Sequence, residues 1–229
     1  MSESKKNIGP TGAGGMERRT ATGRVEQRAA GTPEGFDFEG VASSVGQEYV
    51  MFENSAEVWV EEIAPGAFDG VLEDDVRILV NHKDSAILGR TKSGTAKIWA
   101  DGTGLRYAWK NDEEMSHGKD VAVSIRRGDI DQSSFGFRTA WENNKWEEYP
   151  MPDGRRKYKR TILKFDELYD CSPVTFPANP NTAVGARDYE AALAEYKQQR
   201  SNQCPPVEDA DVLDIYFKRL ALNEKLATT

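Results

Sequence analysis

Cysteine and histidine are almost absent from this chain. Its 229 residues hold two cysteines, Cys171 and Cys204, and two histidines, His82 and His117. Both a disulfide framework and a cysteine-based zinc site need more sulfur at closer spacing, so both are excluded and a reducing compartment is the default. The same count excludes a histidine-rich metal centre. Long apolar runs are missing as well. Nothing approaches the ~20 residues of a membrane span, and the amino-terminal stretch MSESKKNIGPTGAGG lacks the apolar core of a secretory signal. Hydrophobic residues make up 38% of the chain and the mean hydropathy is -0.67. That is polar for a compact globule, so part of the chain is expected to lie outside a core. A basic surplus is missing too: 30 Lys and Arg face 38 Asp and Glu, for a net charge of -8, which argues against nucleic acid as the main partner.

The polar residues are unevenly placed. The first 31 residues hold six basic residues against three acidic ones, whereas the middle of the chain is strongly acidic. Residues 1–22 are read as a disordered amino-terminal segment, with Met16 as an alternative start. Short β-like segments follow, at Phe36 to Val41, Val58 to Ile63, Val76 to Val80, Ala86 to Arg90, Ala96 to Ala100 and Leu105 to Trp109. Ser93-Gly94 and Asp101-Gly102-Thr103-Gly104 separate the later ones. Pro65 to Leu72 reads as a turn entering a short helix. Strands of this length with glycine turns predict a barrel or sandwich. Val121, Ala122 and Ile125 predict one helix, stopped by a left-handed cap at Gly128. Ser133 to Trp141, a hairpin around Pro152-Asp153-Gly154, and Tyr158 to Phe165 complete a domain over 23–186. Residues 187–229 read as a helical appendage, with helices at Asp188 to Arg200 and Val212 to Leu226.

Taken one by one, the reactive residues have bland explanations. A histidine after a strand is ordinarily a loop residue, a serine in Ser133-Ser134-Phe135-Gly136-Phe137 is ordinarily a strand residue, and an aspartate before Cys171-Ser172-Pro173 is ordinarily a turn former. Together they permit one chemistry. Serine attacks a carbonyl only when an imidazole takes its proton, and that imidazole works best when its other nitrogen is held. His82 and Ser134 lie 52 positions apart, so only the fold can join them.

Six stretches carry a family resemblance. They are Glu61-Glu62-Ile63-Ala64-Pro65-Gly66-Ala67-Phe68, Leu79-Val80-Asn81-His82, Leu88-Gly89-Arg90-Thr91, Gly104-Leu105, Ser134-Phe135-Gly136-Phe137 and Ser172-Pro173-Val174-Thr175-Phe176-Pro177-Ala178. In this order, across roughly residues 17–187, they resemble the prohead proteases of tailed phages, the serine peptidases that mature HK-type capsids. The resemblance implies a mainly β fold with helices, a closed β-barrel similar to the herpesvirus capsid-maturation proteases. It implies His82 as general base, Ser134 as nucleophile and Asp170 as the acidic third member, where the family typically has Glu followed by Val rather than Cys171. His117, Asp166 and Glu167 are rivals for that third role. Backbone N–H groups near Ser134, or a loop near Arg160, are candidate oxyanion donors.

The same resemblance implies a serine endopeptidase without metal or organic cofactor. Its partners would be the major capsid protein and scaffold as substrates, with possible self-association and no nucleic acid or membrane. It would act in the host cytoplasm, packaged inside the procapsid. Family members often cut themselves, and residues 1–22 and the linker Ser201 to Pro206 offer accessible backbone for that; plain termini are the competing reading. Leu213, Phe217 and Leu220 form a stripe that could dock on a partner or fold back on the barrel. The rival from another class is a catalytically silent assembly protein on the same fold; a metal-dependent hydrolase lacks the ligands.

Overall fold

The computed structural model describes residues 16–27, 33–176 and 192–201. Within them the chain is mainly β. Eight strands form one sheet: β1 (Glu17–Gln27), β2 (Phe38–Ser44), β5 (Arg77–Val80), β6 (Lys83–Arg90), β7 (Ala96–Asp101), β8 (Gly104–Trp109), β9 (Gln132–Arg138) and β12 (Glu167–Val174), in the order β6-β5-β12-β9-β1-β2-β8-β7. Its two edges, β6 and β7, are joined by the short turn at 91–95. They meet there because position 89 is glycine: a Cβ on Gly89 would lie 2.8 Å from the Thr95 carbonyl oxygen. The result is a nearly closed barrel flanked by helices, as the sequence led us to expect.

Alternation along the strands fills the barrel. Phe38, Ile78, Leu105, Tyr107, Trp109, Phe135 and Phe137 all turn into one buried core. Phe135 and Phe137, two apart on β9, stack with ring centroids 5.0 Å apart, a contact worth about 0.5–1.5 kcal/mol beyond the area it buries. Helix α1 (Ser116–Arg127) buries Val121, Ala122 and Ile125, and Gly128 ends it in the left-handed conformation at φ 78°.

A second sheet, β10 (Asn144–Pro150), β11 (Arg156–Ile162), β4 (Glu57–Ile63) and β3 (Tyr49–Glu53), runs in the order β10-β11-β4-β3. At one end of the sheet Ile63 and Ile162 join the barrel core. Further along the same two strands, Trp59 stacks on Tyr158 at 4.4 Å and meets Trp146 edge-on. A helical stretch at 192–201, α2, covers this aromatic face with Ala192 and Tyr196. Apart from Ser201 it falls within the helix expected at Asp188 to Arg200, and it is stapled down: the Glu195 carboxylate accepts from Asn144 Nδ2 at 2.7 Å and from the Trp146 indole at 3.2 Å.

Several expectations need correction. Strand β1 begins at Glu17, so the boundary drawn at 22/23 cuts a strand; its polar side chains hid it because its partners are backbone groups of β9. Pro65 to Leu72 forms no helix but successive four-residue turns, with Ala67 N–H to Ala64 O, Asp69 N–H to Gly66 O and Val71 N–H to Phe68 O. Strand β9 stops at Arg138, before a single 3-10 turn at Trp141–Asn143. The strand expected at Tyr158 to Phe165 runs instead from Arg156 to Ile162. The helix expected at Val212 to Leu226 and residues 1–15 lie outside the described residues.

Candidate active site

Three strands and one tight turn build the site. Strands β9 and β12 are antiparallel neighbours with Ser134 opposite Ser172 and Gly136 opposite Asp170. Since residues two apart share a face, Ser134 and Asp170 point the same way, out of the barrel. Strand β5 lies parallel to β12, pairing Arg77 with Asp170. It ends in a two-residue hairpin into β6 in which Asn81 and His82 have φ of 52° and 56°. Two left-handed residues in succession mark a type I′ turn, which matches the strands' twist and places His82 at its tip. Asparagine and histidine are among the few non-glycine residues that tolerate this region.

The imidazole bridges the two strands. His82 Nδ1 lies 2.6 Å from Asp170 Oδ1 and His82 Nε2 lies 2.7 Å from Ser134 Oγ. Ser134 is 2% exposed and Asp170 3%, whereas 12% of the His82 side chain is exposed. Ser172 Oγ donates to Asp170 Oδ1 at 2.7 Å, a second bond that fixes the carboxylate. Asp170 Oδ2 presses against the bare backbone of Gly136, where a Cβ would come within 2.4 Å of it. Gly136 is thus required by the carboxylate, a role its place in Ser-Phe-Gly-Phe did not reveal. Such a line of acceptor, imidazole and hydroxyl can deprotonate the serine and hand the proton on.

Asn81 holds the turn in place. Its Oδ1 accepts from Thr175 N–H at 2.8 Å and its Nδ2 donates to Thr175 Oγ1 at 3.2 Å, while its own N–H donates to Pro173 O at 3.1 Å. The turn is therefore clamped to the end of β12, the strand that carries Asp170. Asn81→Ala removes both side-chain bonds and puts a less tolerant residue at positive φ. The expected result is a fall in kcat of tenfold or more with KM little changed, read from peptide-cleavage kinetics.

The rival residues are engaged elsewhere. His117 Nε2 bonds to the Ile87 carbonyl at 2.8 Å. Asp166 receives the Asn143 amide and the Ala140 N–H, and Glu167 pairs with Arg138 and the Tyr169 hydroxyl. Cys171 is fully buried in the barrel core, and burial pushes its thiol well up, which leaves it inert as a nucleophile. Arg160 sits mid-strand in β11, paired to Trp146 and Glu61 on either side, so there is no loop there to supply oxyanion donors. Among the described residues no group of three or more His, Cys, Asp and Glu could hold a metal ion, and no helix is long and apolar enough to cross a membrane.

Behind Ser134 lies a buried ionic cluster that the sequence did not disclose. Arg19 Nε donates to Glu61 Oε1 at 2.7 Å, and Arg19 Nη2 to Glu61 Oε2 at 3.1 Å and Glu17 Oε2 at 2.7 Å. Arg160 Nη1 donates to Glu61 Oε2 at 2.9 Å and to Glu17 Oε2 at 2.7 Å, and Arg160 lies 3.3 Å from Glu195. The Tyr49 hydroxyl also bonds to Glu61. Burial alone would raise the Glu17 carboxyl, but the Arg160 and Arg19 guanidiniums hold it down at about 2. For Glu61 the same guanidiniums outweigh burial and lower it, and burial beside Glu61 pushes the Tyr49 phenol well up. The cluster joins β1, the second sheet and α2.

A family model described as caudovirus prohead serine protease matches residues 24–197. No curated protein and no solved structure matches the chain.

Proposed function

The chain belongs to the caudovirus prohead serine protease family, and from that premise we propose that it matures a phage procapsid by cutting scaffold and capsid-protein amino-terminal segments, with Ser134 as nucleophile, His82 as general base and Asp170 as the third member. The observation that carries this reading is the single imidazole that reaches both partners, at 2.6 and 2.7 Å. Ser134 Oγ attacks the peptide carbonyl as His82 Nε2 takes its proton. The protonated imidazole is steadied by Asp170 through Nδ1 and then protonates the leaving amine. Water, activated by the same histidine, releases the acyl group. Neither metal nor organic cofactor enters these steps. The reaction belongs inside the procapsid in the host cell, where scaffold and capsid segments are concentrated.

The test is to incubate the protein with the major capsid protein of the same phage, with a serine-directed phosphonate, with EDTA, and with neither. Cleavage that the phosphonate stops and EDTA leaves intact is the expected result. Cleavage abolished by EDTA alone, or none under any condition, overturns the reading, and the second outcome favours a silent assembly protein. The proposal extends to self-cleavage. Intact-mass spectrometry of wild type is expected to show shortened species that Ser134→Ala lacks; identical masses would sink that part.

A further inference from the structure

The amino-terminal half of β1 lies where a substrate would lie. Residues Glu17 to Ala21 run antiparallel to β9 with Thr20 opposite Ser134, and a register shift between Ala21 and Arg24 separates them from the rest of the strand. Only beyond that shift, from Val25, does β1 pair with β2. The half beside the nucleophile thus adds to β9 alone, as an extended peptide adds to a sheet. It also precedes the residues matched by the family model, 24–197. Its backbone reaches the chemistry directly: Ser134 Oγ donates to the Arg19 carbonyl at 2.8 Å. One hydroxyl hydrogen cannot serve both that oxygen and His82 Nε2. A nucleophile that spends its proton on the carbonyl oxygen faces the wrong atom for attack, so the pose is occupied but unproductive.

The side chain at that position is enclosed in a chosen environment. Arg19 points to the opposite face of the strand from Ser134, over the Phe137 ring at 5.6 Å and onto the buried Glu61 carboxylate as a two-pronged pair. Tyr49 and Arg160 hold that carboxylate from other sides. Arg18, one residue earlier, is exposed. The slot therefore distinguishes one position by charge and leaves its neighbour open.

We propose that Glu17–Ala21 is an internal occupant of the substrate groove along β9, and that this groove takes scaffold or capsid segments as an added strand with an arginine in the Glu61–Phe137 pocket. The proposal rests on Ser134 being the nucleophile. The groove is shut in the resting chain, and a substrate segment carrying that arginine opens it by exchange.

A fluorophosphonate probe reads access to Ser134: the serine oxygen bonds to phosphorus, fluoride leaves, and the hydroxyl proton passes to His82. Arg19→Ala is expected to label at least tenfold faster than wild type, and Ser134→Ala not at all. A peptide with the sequence of residues 16–23 is expected to protect the Arg19→Ala variant. The same peptide with glutamate in place of Arg18 protects as well, and with glutamate in place of Arg19 it does not. Equal labelling of wild type and Arg19→Ala, or protection blind to which arginine is replaced, overturns the groove while leaving the nucleophile standing. No labelling of either protein overturns both. Because Arg19→Ala could unfold, hydrogen exchange is measured on wild type with excess peptide. Loss of protection at 17–21 with retention at 24–27 supports exchange of strands, and unchanged protection at 17–21 overturns it.

Discussion

Ser134→Ala and His82→Ala are each expected to lower kcat/KM on a capsid-derived peptide by roughly 10⁵–10⁶-fold, and the double variant by no more than either alone. The hydroxyl and the imidazole act as one unit in the same proton transfer, so removing either removes the nucleophilic pathway; grossly non-additive losses of this size are the established behaviour of such pairs. Asp170→Asn is expected to lose less, roughly 10³–10⁴-fold. The asparagine can keep the Ser172 bond through its oxygen, but it brings no charge to the imidazolium that forms as Ser134 attacks. Flipped so that its amide nitrogen faces Nδ1, it would give up the bond that Asp170 Oδ1 accepts from Ser172 and favour the tautomer that puts a proton on Nε2, where the base must be free. The check is steady-state kinetics on the three single variants and the double one, with circular dichroism to show intact folds. Additive losses for Ser134 and His82, or an Asp170→Asn loss below about tenfold, would contradict the arrangement in which one imidazole serves both partners.

The parts of this site that sequence could disclose are those set by local pattern. The β-branched run before Asn81-His82 marked a strand ending at a histidine. The spacing of Phe135 and Phe137 put both rings on one face of a strand. Gly128 marked the end of α1. The resemblance supplied the pairing of His82 with Ser134 and Asp170, which lie on one turn and two strands and which no spacing rule could have joined. The parts that stayed hidden depend on long-range backbone pairing. Strand β1 reads as a polar, charged stretch because Glu17 and Arg19 find their partners on β4 and β11, some forty to one hundred and forty positions away. Strand β3 passed unnoticed for a related reason, since its burial is only partial. The role of Gly136 became visible only with the Asp170 carboxylate against its backbone. A short helix was expected at Pro65 to Leu72 because turn-rich apolar segments carry the same residues in either conformation.

Arg160→Met is expected to destabilise the fold by about 3–5 kcal/mol, because it leaves carboxylates buried without their counter-charge. Arg160 is 2% exposed and its guanidinium serves Glu17, Glu61 and Glu195 at once. Glu61→Gln is expected to be costly as well, since it strands Arg19 and Arg160 together. The double variant should cost less than the two singles combined, as each single leaves an unpaired charge that the other removal relieves. Denaturant midpoints of the four proteins measure this, and strict additivity would mean that the charges do not interact. Acid gives an independent reading. Glu17 and Glu61 are held below their ordinary range in the folded chain. A lowered carboxyl adds stability above its unfolded pKa and loses it as pH falls through its folded one. For Glu17 that window runs from about 4.5 down to about 2. Wild type is therefore expected to lose stability steeply across this range, and Arg160→Met, already without the guanidinium that holds Glu17 down, to lose less. Since Glu17 and Arg19 also tie the amino-terminal strand to β4 and β11, acid weakening of the cluster should free that strand from β9 and expose Ser134 to solvent before the barrel itself unfolds.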